Sequence, residues 1–154
     1  PVFPRAHLFL GKVALLLNNY ELALSEAEQE QAISTNAADG YLLAAEIYTQ
    51  QKRYSNCTQE LQKALKLNVG GAMTYINMAK CYRLSGSPDA ALSMLSIAQE
   101  RESGLPEVYL ELGQGYEMKG DSMAAIEAYN QYLVLSPNGK DGGFVRQRLQ
   151  SLGR

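Results

Sequence analysis

Histidine and cysteine are almost missing from this chain of 154 residues: His7 is its one imidazole, and Cys57 and Cys81 are its two thiols. Catalytic triads, histidine metal sites and most acid–base schemes need a well-placed imidazole, and a single one near the chain start is a poor basis for any of them. Two cysteines make neither a disulfide framework nor a metal site, so they read as small buried thiols. Charge is also scarce: 19% of residues are charged and the net charge is -2. Without a basic excess there is nothing to neutralise a phosphate backbone, which disfavours nucleic-acid binding. The longest apolar runs, around Val13 to Leu17, are far too short to span a bilayer. No signal peptide is visible, and the opening at Pro1 suggests a mature or excised fragment from which a targeting segment or neighbouring domains have been cut. Unpaired thiols lean towards the cytoplasm, with the bacterial periplasm as the alternative.

What the chain has is self-similarity. Pro4, Ala38, Ala72 and Pro106 start four copies of a pattern that recurs every 34 residues. Counting from those starts, position 4 holds His7, Tyr41, Tyr75 and Tyr109, and position 7 holds Leu10, Ala44, Met78 and Leu112. Position 8 is always small (Gly11, Ala45, Ala79, Gly113), and position 11 holds Ala14, Tyr48, Tyr82 and Tyr116. These four positions form one stripe of a helix. Position 20 is small again (Ala23, Cys57, Ala91, Ala125) and belongs, with positions 24 and 27, to the stripe of a second helix. Small residues at 8 and 20 let the two helices approach, and large ones beside them fill the space. Neither helix buries its apolar face alone, so stacking on neighbours is required. Breaker clusters agree: Asn18-Asn19, Lys52-Arg53, Gly86-Ser87-Pro88 and Gly120-Asp121 within copies, and Ser34-Thr35-Asn36, Gly70-Gly71, Ser103-Gly104 and Ser136-Pro137-Asn138-Gly139 between them. Ser87 and Asp121 are the expected N-caps, with Pro88 as a first helical residue.

The fourth copy, EVYLELGQGYEMKGDSMAAIEAYNQYLVLSPN, closely resembles the tetratricopeptide repeat consensus. Tyr109, Leu112, Gly113, Tyr116, Ala125, Tyr129 and Pro137 stand at that family's signature positions, while Tyr132 replaces the usual small residue at position 27. The resemblance covers residues 4 to 139. It implies an all-α, right-handed superhelical α-solenoid of four helix-turn-helix hairpins, at 4–37, 38–71, 72–105 and 106–139. Residues 140–154 are expected to add an amphipathic capping helix built on Val145, Leu149 and Leu152, with Phe144 beside them. The first copy is degenerate, with Ala14 at position 11, Glu30 at position 27 and a polar second helix. That second helix is either a polar terminal cap or the site of an insertion or register shift. Its first helix, HLFLGKVALLL, is apolar nearly all round and wants cover on two sides, as though an upstream repeat were missing.

In this family the first helices line a concave surface, so the resemblance implies a non-catalytic protein-interaction scaffold with no cofactor and no metal. The expected groove residues follow from the columns next to the packing stripe. Position 5 gives an apolar ladder of Leu8, Leu42, Ile76 and Leu110, widened by Phe9 and Leu43, with partial packing against the neighbouring repeat as the alternative reading. Polar positions add Lys12, Glu46, Asn77, Lys80, Arg83, Glu111, Gln114 and Glu117. The last repeat is acidic, with Glu107, Glu111, Glu117, Asp121 and Glu127 against Lys119 alone. A partner peptide or helix with apolar anchors and a basic end over that repeat is the expected ligand. Two known modes of the family are missing. The carboxylate clamp for acidic tails finds only Asn77 in place, with Glu107 and Glu111 where Lys and Arg are needed. The asparagine ladder at position 6 reads Phe9, Leu43, Asn77 and Glu111. Gly113-Gln114-Gly115 is no dinucleotide fingerprint, because no strand precedes it and the third glycine is misplaced. All ten tyrosines fall in repeat columns, so base stacking is not needed to explain them. The competing expectations are a structural module that self-assembles end to end, and the recruiting domain of a larger protein, such as one of bacterial envelope, secretion or pilus assembly.

Overall fold

The structure, a computed structural model, describes residues 3, 5–33 and 38–153. Pro4, the Ser34-Thr35-Asn36 breaker and Arg154 lie outside these described residues. Within them every regular element is a helix: α1 (Ala6–Leu16), α2 (Tyr20–Ile33), α3 (Ala38–Gln50), α4 (Tyr54–Lys66), α5 (Gly71–Leu84), α6 (Pro88–Arg101), α7 (Pro106–Lys119), α8 (Ser122–Leu135) and α9 (Gly142–Leu152). Consecutive helices pack on each other along the whole chain. First helices also touch first helices (α1 on α3, α3 on α5, α5 on α7), and the second helices have no comparable contacts among themselves. The first helices therefore lie closer together, and they form the inner wall of a curved stack.

Each intra-hairpin turn is closed in the same way. Asn18, Lys52, Gly86 and Gly120 all take positive φ, between 57° and 84°. The following N–H then reaches back to the helix: Asn19 to Ala14 O at 2.9 Å, Arg53 to Tyr48 O at 2.8 Å, Ser87 to Tyr82 O at 2.8 Å and Asp121 to Tyr116 O at 2.9 Å. These are Schellman closures, which satisfy carbonyls that the helix end would otherwise orphan. Asp121 caps α8, its carboxylate accepting from Ala124 N at 3.1 Å. Asn19, unexpected from the sequence, caps α2 by accepting from Leu22 N at 3.2 Å. Ser87 does occupy the N-cap of α6 with Pro88 behind it, but it makes no side-chain capping bond.

The core follows most of the columns that sequence periodicity picks out; position 4 is only half-buried, and Leu10, expected to pack at position 7, is 54% exposed. Position 20 (Ala23, Cys57, Ala91, Ala125) and position 24 (Ala27, Leu61, Leu95, Tyr129) are all buried. Volume is exchanged across the pair of helices: a side chain at Gly113 would run into the Tyr129 ring, so the largest residue of its column faces a glycine. Replacing Ala125, fully buried, with Leu is expected to overpack this hairpin and cost about 1–3 kcal/mol; an unchanged urea midpoint would show that the helices do not meet there. In the first hairpin α2 runs without interruption, which removes the insertion reading. Two of its polar residues face α1: Glu30, almost fully buried, accepts the Leu8 N–H at 3.3 Å, and Glu26 pairs with His7 Nδ1 at 2.6 Å. The start of α1 lacks a side-chain N-cap, and the Glu30 carboxylate takes one of its unpaired N–H groups.

One expectation is corrected here. Cys57 and Cys81 are not two thiols; they are joined as a disulfide, with Cα atoms 6.4 Å apart. The bond ties α4 of the second hairpin to α5 of the third. Position 20 of one repeat faces position 10 of the next, and cysteines at both are brought within bonding reach. At the other end, α9 seals the stack: Val145 is fully buried, and Leu149 and Leu152 pack with it against Tyr129 and Tyr132. Phe144 meets the Tyr129 ring edge-on, with centroids 6.4 Å apart. No helix among the described residues is long and apolar enough to cross a membrane.

Candidate functional site

A cavity of about 360 Å³ opens on the inner wall across the first three hairpins. Seven of the expected groove residues line it: Leu8, Lys12, Leu42, Leu43, Glu46, Asn77 and Lys80. Asp39, Ala45, Thr49, Gln50 and Cys57 complete it. Sequence columns missed Asp39 and Thr49, although both stand at inner-wall positions (2 and 12) of the second repeat; Asp39 is held by Arg5 of the first repeat at 2.7 Å. The Thr49 hydroxyl donates to Ala45 O at 2.7 Å and lies 3.3 Å from Cys81 Sγ, so the disulfide sits directly behind the cavity wall.

The apolar ladder is largely spent on packing. Leu8 and Ile76 are buried, Leu42 and Leu110 are half-buried, and Leu43 is only 2% exposed. Position 5 thus follows the packing alternative at two of its four members. Phe9 does stand open, at 66% exposure, but on a different face, towards the amino-terminal end of the stack. Leu110, Gln114, Arg83, Glu111 and Glu117 lie beyond the cavity, over the third and fourth hairpins.

Two of the five acidic side chains of the fourth repeat are neutralised by pairing, while Glu107 and Glu127 stay exposed and in no ion pair among the described residues. Glu111 is buried and accepts from Arg83 Nε at 2.7 Å and from an Arg83 terminal nitrogen at 3.3 Å. Glu117 is gripped by the guanidinium of Arg148 on α9 and accepts the Tyr129 hydroxyl at 2.5 Å. The Arg148 hydrogen bond holds the Glu117 carboxyl below the usual carboxylate range, against the opposing pull of desolvation. Burial and the Glu117 carboxylate raise the Tyr129 pKa well above the ordinary phenol value, so its hydroxyl stays a donor. The Arg83–Glu111 pair therefore ties the third hairpin to the fourth, and the Arg148–Glu117 pair ties the fourth hairpin to α9. The charges left standing on the inner wall at position 9 alternate instead: Lys12, Glu46 and Lys80, all exposed and in no ion pair among the described residues.

Sequence models described as tetratricopeptide repeat match residues 38–68 and 78–140. The chain belongs to the tetratricopeptide repeat family. Solved structures agree in fold. TTC0263, a thermophilic protein of this family in Thermus thermophilus, is 24% identical, with a TM-score of 0.84 over 99% of this chain and 82% of that one. The Cut9–Hcn1 hetero-tetramer of the APC/C superposes with 99% of this chain but only 30% of its own chain, at 20% identity and a TM-score of 0.79. YrrB, described as having an unusual peptide-binding site, is 17% identical, with a TM-score of 0.64 over 97% of this chain and 82% of its own. At these identities the likeness is one of fold. No curated protein matches the chain in sequence.

Proposed function

We propose that the chain is a non-catalytic adaptor that holds an extended partner segment across the inner wall of its first three hairpins. The observation that carries this reading is the cavity itself: it joins an apolar floor (Leu8, Leu42, Leu43) to the exposed charges Lys12, Glu46 and Lys80. Tetratricopeptide repeats are interaction modules, and a groove of this kind suits a short apolar side chain held by charges at the rim. Spacing supports an extended ligand. Packed helices lie about 8–10 Å apart, and a polyproline II segment presents the same face about every 9 Å. Such a segment meets Lys12, Glu46 and Lys80 in turn with an acid, a base and an acid, every third residue. A basic end over the fourth repeat is less favoured, because Glu111 and Glu117 are already paired; of the acids Glu107, Glu111 and Glu117, only Glu107 stays exposed and in no ion pair among the described residues. The paired cysteines favour an oxidising compartment, the bacterial periplasm over the cytoplasm.

The test uses a segment selected against the purified chain by peptide display, then measured by fluorescence anisotropy. Lys12→Glu and Lys80→Glu should each weaken it by roughly twofold to fivefold, as exposed charges do, and more so at low salt. A second cavity, of about 420 Å³, lies between α6, α7 and α8 and includes Tyr109, Tyr116 and Glu127. If Glu127→Lys abolishes binding while both lysine variants bind like the parent, the groove is not the site.

A further inference from the structure

We propose that the cavity between the third and fourth hairpins is a second binding site, and that its ligand is an arginine side chain of a protein partner. The cavity, of about 420 Å³, opens between the second helices α6 and α8 with α7 behind them, so it lies apart from the inner wall and does not depend on the groove there. The repeat columns explain why it exists at this junction. Position 23 is Glu26, Glu60, Met94 and Ala128 in the four hairpins. In the first three that side chain is already used. Glu26 pairs with His7, at position 4, at 2.6 Å. Glu60 accepts from Gln31, at position 28 of the preceding repeat, at 3.4 Å. Met94 packs in the same cluster as Tyr75, at position 4. Ala128 is too short to do any of these, and Tyr109 at position 4 and Gln99 at position 28 are left lining an open space.

The lining selects a cation, and a flat one. Tyr109 and Tyr116 supply aromatic rings, Glu127 a carboxylate, and Gln99 and Gln131 amide oxygens. None of these five makes a side-chain hydrogen bond or an ion pair among the described residues. A purely apolar ligand would strip water from Glu127 and both amides without return, whereas a cation beside a carboxylate and two tyrosines gains from both. The chain itself shows which cation these columns take. Arg101 lies over Tyr75, at position 4 of the third hairpin, and Arg53 over Tyr48, at position 11 of the second, each 4.9 Å from the ring centroid. Those arginines stand at positions 30 and 16, where the fourth hairpin has Leu135 and Asp121. Tyr109 and Tyr116 thus have the rings of these columns without the guanidinium. Lys119, a cation of the same α7, is held by Asp89 at 2.6 Å. A guanidinium stacks on aromatic faces and carries five donors, enough for the carboxylate and both amides; a lysine ammonium is a strongly hydrated point with three. Glu127 is exposed, so a side chain can reach it from a docked protein, while free arginine would bring its own α-carboxylate beside that charge.

Nα-acetyl-L-arginine N-methylamide is the probe, titrated into isotope-labelled chain and followed by two-dimensional NMR. A dissociation constant on the order of millimolar is expected, as for a single small fragment, with the shifts centred on the side-chain amides of Gln99 and Gln131. The citrulline analogue has the same shape without the charge and should leave those amides unmoved; the lysine analogue should bind several-fold more weakly. Glu127→Gln, at an exposed site that does not disturb the hairpin, should weaken the arginine probe roughly twofold to fivefold, more so at low salt. Ala128→Met gives the fourth hairpin the residue of the third and should abolish binding by filling the cavity. Far-UV circular dichroism confirms that each variant stays helical. No shift at the two amides in excess probe would overturn the proposal. So would citrulline or lysine analogues that bind as tightly as arginine, or Glu127→Gln and Ala128→Met proteins that both bind like the parent. Free L-arginine is the second arm: tighter binding than the capped probe would assign the site to the free amino acid and overturn the protein partner.

Discussion

Reducing the disulfide between Cys57 and Cys81 is expected to lower the stability of the stack by about 3 kcal/mol, the loop-closure value for a bridge over 24 residues. The location matters as much as the size. Stability in a repeat array is a sum of hairpin terms and neighbour terms, and this bond reinforces one neighbour term, between the second and third hairpins. Its loss should therefore do more than shift a single transition: the two halves of the stack should begin to unfold separately, and the melting curve should broaden or split. Cys57→Ala/Cys81→Ala is the matching variant. Alanine already fills position 20 in the other three repeats, as Ala23, Ala91 and Ala125, so Cys57→Ala adds little strain of its own. Thermal melts with and without a phosphine reductant make the comparison, and the double variant should melt like the reduced parent. Equal melting of oxidised and reduced protein would sink the idea, as would two titratable thiols in denatured, unreduced protein.

The bond also shows what was legible in the sequence. The hairpins, their buried columns and the sealing helix could be read directly, because a period of 34 and a helical stripe make strong constraints on which residues are small and which are large. Asn18, Lys52, Gly86 and Gly120 share one column, and the turn clusters pointed to them. Contacts between repeats were harder to read. Cys57 is at position 20 and Cys81 at position 10, and nothing within a single repeat brings those together; the knowledge that position 20 of one hairpin faces position 10 of the next was required. The same gap explains the charges. Glu111 and Glu117 look free when one helix is drawn alone, but their partners Arg83 and Arg148 stand on the third hairpin and on α9. Half of the apolar ladder is drawn into packing for a related reason: Leu8 and Ile76 lie on the border between the inner wall and the neighbouring helix and are buried, although Leu8 still lines the cavity.

The Arg83–Glu111 tie carries the other large expected effect. Arg83 and Glu111 side chains are only 14% and 9% exposed, and the guanidinium makes two bonds to the carboxylate. Removing one partner of such a pair leaves the other charge with little water and no counter-ion, which costs about 3 kcal/mol or more. Glu111→Ala should therefore lower the urea midpoint by about 1 M or more, given slopes of about 1–3 kcal/mol per molar for small proteins. Arg83→Met/Glu111→Leu removes both charges and keeps the volume, so it should recover most of that loss. The double-mutant cycle then yields a coupling of one to a few kcal/mol between positions on different hairpins. Glu111→Lys is the sharper contrast, because it sets a like charge against Arg83: it should act on folding and only secondarily on the association rate of a ligand. A Glu111→Ala protein with the parent's midpoint would mean that water reaches the pair freely, and the carboxylate would return to the inner wall as a charge available to a partner.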